Sequence, residues 1–221
     1  MRIAIAGAHG QIARRLGCLL STRGDTVVGI LRNPAHGSDV AADGAEPVVL
    51  DLESASVDDV TAVVSGADAV VFAAGAGPGS TVGRKDTVDR GAAVLLADAA
   101  ERAGVRRYLL VSSMGVDSVA DGGSPPGMDE VFAAYLRAKL AAEQDLLARP
   151  ALAVTVLRPG GLTDEPGTGH VRLARQVARG TVPRDDVAAV LVALLDVPAD
   201  GVVAELVSGP EPVVEAVSAL D

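Results

Sequence analysis

Tyr135 and Lys139 stand four residues apart in AYLRAKLAAEQDLL, a stretch that begins at Ala134 and has the apolar spacing of an amphipathic helix. Residues four apart share a helix face, so a phenol and an ammonium can look into one cleft. Together they can move a proton, because a neighbouring ammonium favours the ionised form of a phenol. The same two side chains could equally snorkel on a solvated face. Of 19 basic residues only Lys85 and Lys139 are lysines, so a lysine one turn after a tyrosine is less easily an accident. Which reading holds depends on what the rest of the chain builds around the pair.

A second set of residues suits a phosphate. GAHGQIA follows the first apolar run and places Gly7, Gly10 and Ala13 at intervals of three. A glycine closing the strand allows a tight turn, a second lets a pyrophosphate approach the backbone, and a small third residue lets helix and strand pack closely. His9, Gln11 and Ile12 belong to the same loop and helix start, where free N–H groups carry partial positive charge. The next apolar run ends GILRNP. A ribose with a free 2′-hydroxyl calls for an acidic residue there, whereas Arg32, followed by Asn33, suits a 2′-phosphate, so the expected cofactor is NADP(H). Asp51 and Leu52 end the third run, where they could border an adenine, and the small Ala73, Ala74 and Gly75 end the fourth.

These residues need a scaffold, and the apolar pattern supplies one. RIAIA, TVVGIL, EPVVL, DAVVFAAG, RRYLLVSS and LAVTVLRPGG read as six strands. Helical segments separate most of them: Gln11 to Gly24, SVDDVTAVVSG, about Lys85 to Ala103 and about Asp129 to Ala148. Such alternation predicts βαβ units in a doubly wound parallel sheet, the Rossmann fold, whose ligands bind at the carboxyl ends of the strands. The tail adds a helix from about Arg184 to Leu195, a strand VVAELV and a last helix from about Pro212 to Leu220. The expectation is a single domain over residues 1–221 with a short C-terminal extension. GAGPGSTVGRKD, VDSVADGGSPPGMDE and GGLTDEPGTGH leave the ligand edge and are expected to wall a substrate pocket.

Composition narrows the partners. A formal net charge of −10 without a clustered basic face argues against nucleic acid. There is no leader with a cleavage site and no apolar run of membrane-spanning length, which predicts a cytoplasmic protein without membrane contact. Cys18 lies among Leu16, Leu19 and Leu20 and is expected to be a small buried hydrophobe; one cysteine excludes an internal disulfide or a cysteine metal cage. His9, His36 and His170 lack metal-ligand spacing, so no metal is expected. The two long helices could form a dimer seam or simply cover the sheet, which leaves monomer and homodimer open.

With these residues placed, the chain resembles the short-chain dehydrogenase/reductase superfamily, and most of all its compact, atypical NAD(P)H-binding or epimerase-like members. GAHGQIA, LRN, LDL, AAGAG, VSSMG, YLRAK, LRPGGLTDEPGTG and VPRDDVA occur in the family's order over nearly the whole chain. The resemblance implies that Tyr135 is the acid/base and Lys139 its partner, also able to hold the nicotinamide ribose. It further implies that Pro159, Gly160, Gly161 and Leu162, in RPGGL, lie beside the nicotinamide. One departure stands out. The superfamily places Ser or Thr just past the fifth strand to hold the substrate oxygen, whereas here Met114 falls at that position, with Ser113 and then Ser112 as substitutes. The expected activity is NADPH-dependent reduction of a small carbonyl compound or similar electrophile. An NAD(P)-dependent epimerase or dehydratase, and a non-catalytic NADPH sensor, are the alternatives.

Overall fold

Strand β1 (Arg2–Ala6) sends Ile3 and Ile5 to one face and Ala4 and Ala6 to the other, and both sets are buried. A strand without a polar face must lie inside a sheet covered on both sides. The computed structural model of the protein, which describes residues 1–77, 79–197 and 200–220, has that architecture. Its central strands are β1, β2 (Thr26–Leu31), β3 (Glu46–Val49), β4 (Ala69–Phe72), β5 (Arg107–Val111) and β6 (Ala153–Pro159), all parallel in the order β6-β5-β4-β1-β2-β3.

Two helical layers cover the sheet. On one side α1 (Gln11–Arg23) packs Ala13, Leu16 and Leu20 against Ile3 and Ile5. On the other, α3 (Val57–Val64) and α5 (Ala93–Ala103) pack Val60, Val64 and Leu96 against Ala4, Ala6 and Phe72. The buried stripe of α1 comprises Ala13, Leu16, Gly17 and Leu20, which leaves Cys18 exposed on the opposite face. The expectation of a buried thiol is thus corrected: leucines flank Cys18 in sequence, but the helical period, not adjacency, decides which residues face the core.

Several elements were not anticipated. A 3-10 turn (Pro34–His36) and α2 (Gly37–Ala42) fill the link from β2 to β3. The helix expected from Lys85 begins earlier, as α4 (Val82–Arg84), and passes through a π-helical stretch (Lys85–Ala92) into α5. Pro78, in the loop before it, lies outside the described residues. In the loop after β5, Val116 and Val119 are buried against Leu136 of α6 (Glu130–Leu147), so that segment is pinned at one end.

The tail contributes more sheet than its apolar runs suggest. β7 (Gly161–Thr163) and β9 (Thr181–Pro183) form a small parallel pair, while β8 (His170–Ala174), β10 (Val202–Ser208) and β11 (Glu211–Pro212) extend the main sheet to nine strands among the described residues. β10 is parallel to β6, β8 is antiparallel to β10, and α7 (Arg184–Asp196) and α8 (Val213–Ser218) complete the layer that holds α1. No described helix is long and apolar enough to cross a membrane.

Candidate active site

The chain runs outward from β1 through β2 to β3, then returns to place β4 on the other side of β1. Loops after β1 and β4 therefore diverge at the carboxyl edge, where doubly wound sheets open a crevice. Two adjoining cavities lie there. One of about 360 Å³ is lined by Gly7, His9, Gly10, Arg32, Asn33, Asp51 and Leu52. The other, about 590 Å³, is lined by Gln11, Ile12, Ser112, Ser113, Tyr135, Lys139, Pro159, Gly160 and Leu162, and the two share Gly10, Ala73, Ala74 and Gly75. Gly161 is not among the lining residues; its N–H donates to Gly180 O beside β9.

Gly7 has φ 80°, and a Cβ there would lie 2.6 Å from Ala74 Cα. Only glycine tolerates both the left-handed backbone and this crossing of two loops. Helix α1 starts at Gly10 without a side-chain cap, which leaves its first N–H groups for an anion.

In the smaller cavity Arg32 and Arg84 share one carboxylate. Glu53 accepts from Arg32 Nη1 at 3.1 Å, from Arg84 Nη2 at 2.5 Å and from Thr87 Oγ1 at 2.7 Å. The Arg84 hydrogen bond holds the Glu53 carboxyl below the usual carboxylate range, against its partial burial. His9 and His36 stack, with ring centroids 3.7 Å apart, and His9 Nε2 lies 3.0 Å from Asp39.

The larger cavity is organised by one face of α6. Tyr135, Lys139 and Glu143 follow at intervals of four and descend from the opening into the protein. Lys139 is buried; its Nζ donates to Val111 O at 3.0 Å and Ala74 O at 3.3 Å, and lies 3.3 Å from Asp89 Oδ1. Asp89 is fully buried on the π-helical stretch, and its Oδ2 accepts from Ala76 N. Its Oδ1 is the one buried side-chain polar atom among the described residues without a hydrogen bond. Lys139 Nζ is 5.9 Å from the Tyr135 ring centroid, and Lys85 Nζ is 5.4 Å from it. The other tyrosine, Tyr108, is wholly buried and donates to Ala93 O; burial pushes its phenol well above the ordinary value.

Below the cavity floor, Ser112 donates to Glu143, which also receives Arg158 Nε at 3.0 Å and Nη2 at 2.5 Å. Arg158 turns away from the cleft, and its Nη1 meets Asp117 Oδ2 at 2.8 Å. Burial opposes the guanidinium charge, but the hydrogen bonds and negative charge of Glu143 and Asp117 more than offset it, and the pKa is raised. Ser113 is half-buried, with a single 3.2 Å bond to Met114 O, while Met114 itself is not among the lining residues.

These groups fit a nicotinamide dinucleotide: a glycine crossing, an uncapped helix start, cations at the β2 end, and the Asp89 oxygen that accepts no hydrogen bond, as an acceptor for a ribose hydroxyl. The sequence reading missed Lys85, Asp89, Glu53, Arg84 and Glu143. Only Lys85 had left a signal there, as one of two lysines, both of which line the larger cavity. Among the described residues no group of three or more His, Cys, Asp or Glu side chains could hold a metal ion.

Residues 7–198 match the NAD(P)H-binding family. The chain is 33% identical to an uncharacterized sugar epimerase of Bacillus subtilis over the full length of both proteins. It superposes with a TM-score of 0.89 and 32% identity on a Bacillus halodurans structure described as a candidate NAD-dependent epimerase/dehydratase, covering 99% of each chain. The anaerobillin reductase ChuY of Escherichia coli O157:H7 gives a TM-score of 0.78 at 27% identity, over 94% of this chain and 97% of that one.

Proposed function

The chain belongs to the NAD(P)H-binding family, and on that premise we propose that it is an NADPH-dependent oxidoreductase that reduces a small carbonyl compound or similar electrophile. The observation that carries this reading is the placement of Tyr135 in the larger cavity, beside two ammonium groups and continuous with the glycine crossing. Bound NADPH supplies the hydride. Tyr135 donates a proton to the oxygen that gains negative charge, and Ser113 Oγ holds that oxygen by a hydrogen bond. Ser112 is the second choice, since its hydroxyl is already given to Glu143. Lys139 is held by two carbonyls and Asp89, so it acts as a fixed positive charge beside the phenol and as a wall of the ribose site. The test is NADPH consumption with aldehydes, ketones, quinones and flavins; no consumption with any of them overturns the proposal.

NADPH is favoured over NADH because Arg32 and Arg84 both reach the β2 end of the smaller cavity. A 2′-phosphate would draw them from Glu53. NADPH is expected to bind more tightly than NADH, and Arg32→Ala should weaken NADPH by about 10-fold while changing NADH less than about 2-fold. Titration of both cofactors checks this, and equal or tighter NADH binding by the unaltered protein removes the preference.

The segments around the larger cavity, 75–86, 116–130 and 160–170, form the substrate pocket in this reading and exclude water when it fills. Hydrogen exchange should slow in all three on adding NADPH and substrate; unchanged protection sinks the idea. The relatives described as epimerases support a second reading, in which a retained cofactor would take a hydride from one substrate and return it, while Tyr135 takes and returns the proton and Lys139 tunes its phenol. NAD(P)(H) released from the purified protein on denaturation, with no net turnover of added NADPH, would favour it.

A further inference from the structure

Three cations line the larger cavity, and they are not equally compensated. Lys139 faces Asp89 at 3.3 Å, and Arg184 meets Asp164 at 2.9 Å. Lys85 is only 8% exposed and donates to one neutral acceptor, Gly77 O, at 2.9 Å; no carboxylate among the described residues comes within salt-bridge range of it. An ammonium carries three protons, so two remain for a ligand. Burying such a charge without a counter-charge is costly, and a cavity wall is where a ligand can repay it.

The mouth of the cavity has the opposite character. Val131, Phe132 and Leu162 line it beside Asp129, whose carboxylate caps α6 by accepting from Phe132 N at 3.0 Å, and Phe132 and Leu162 are 47% and 40% exposed. The Phe132 ring lies 5.9 Å from that of Tyr135 at an interplanar angle of 27°, so two aromatic faces border the same space. Apolar lips around a buried cation match an amphipathic molecule.

We propose that Lys85 is an anion-binding residue and that the compound taken up beside Tyr135 is a flat, apolar carboxylic acid. A carboxylate is favoured over a phosphate because a single lysine in an apolar wall offers one charge and few donors, whereas phosphate recognition draws on backbone N–H clusters and several cations. The inference rests on the reductase reading only for the fate of the bound acid, since the acid also carries the reacting carbonyl in that case.

The test uses 2-naphthoate, the neutral 2-naphthamide and 2-naphthyl phosphate, titrated calorimetrically into the full-length protein with and without saturating NADP⁺. Naphthoate is expected to bind between about 10-fold and about 100-fold more tightly than the amide, the range for a charge-assisted hydrogen bond. Lys85→Met should erase that difference to within about 2-fold and leave NADP⁺ affinity within about 3-fold. An acid preference that persists in Lys85→Met, tighter binding of the phosphate than of the carboxylate, or a fall in NADP⁺ affinity that tracks the variant overturns the proposal. Should Lys85→Met not fold, Lys85→Gln takes its place with the same expectation, and absence of any acid preference in the unaltered protein is sufficient refutation by itself. Acid binding that depends on Lys85, together with no NADPH consumption across the panel of aldehydes, ketones, quinones and flavins, would overturn the reductase reading alone.

Discussion

Tyr135→Phe is expected to lower NADPH-dependent turnover by roughly 10² to 10⁴, the range supplied by general acid catalysis, while NADPH affinity changes less than about 3-fold. The substitution removes one oxygen and keeps the ring that stands 5.9 Å from Phe132 and packs against the Val116, Val119 and Leu136 cluster. Packing and the cation contacts with Lys85 and Lys139 should therefore survive. Steady-state kinetics on the best substrate of the carbonyl panel, alongside cofactor titration, make the measurement. Unchanged turnover would remove Tyr135 as the proton donor. A biological effect that survives Tyr135→Phe in a protein without turnover would favour a non-catalytic NADPH-sensing role.

Glu143→Leu is expected to cost about 3 to 5 kcal/mol of stability, the usual penalty for removing one partner of a buried ion pair. Glu143 is buried and receives Ser112 and both Nε and Nη2 of Arg158, so its loss leaves a buried guanidinium with donors unpaired. Asp117 offers a remaining partner, but its side chain is largely exposed and takes only Nη1. Urea unfolding should show a lowered midpoint at nearly constant slope. Adding Arg158→Met to Glu143→Leu should recover much of the loss, because replacing a buried pair by apolar residues is often close to neutral. A loss below about 1 kcal/mol for Glu143→Leu would show that the pair does not hold the floor of the cleft.

What the sequence determined lies in short-range spacing. The uninterrupted apolar run in RIAIA requires a strand buried on both faces, GAHGQIA turns tightly out of that strand because a glycine stands at position 7, and Tyr135 and Lys139 share a face because a helix repeats every 3.6 residues. Each of these follows from the geometry of one element and can be read without knowing its neighbours. The short strands β7, β8, β9 and β11 escaped for the complementary reason: they are two to five residues long, and pairing rather than composition makes them strands. Cys18 showed the same limit within a helix.

The charges were decided by tertiary structure alone. Lys139 meets Asp89 across 50 positions of chain, Ser112 meets Glu143 across 31, and Arg32 meets Glu53 across 21. No spacing rule links such partners, since an ion pair depends on distance through space, and the sheet order sets that distance. The sequence placed a phenol, one lysine and a glycine-rich phosphate loop at one edge. Only the packed fold determined that Lys139 is matched by a carboxylate while Lys85 is not, because burial and partner are properties of the assembled cleft.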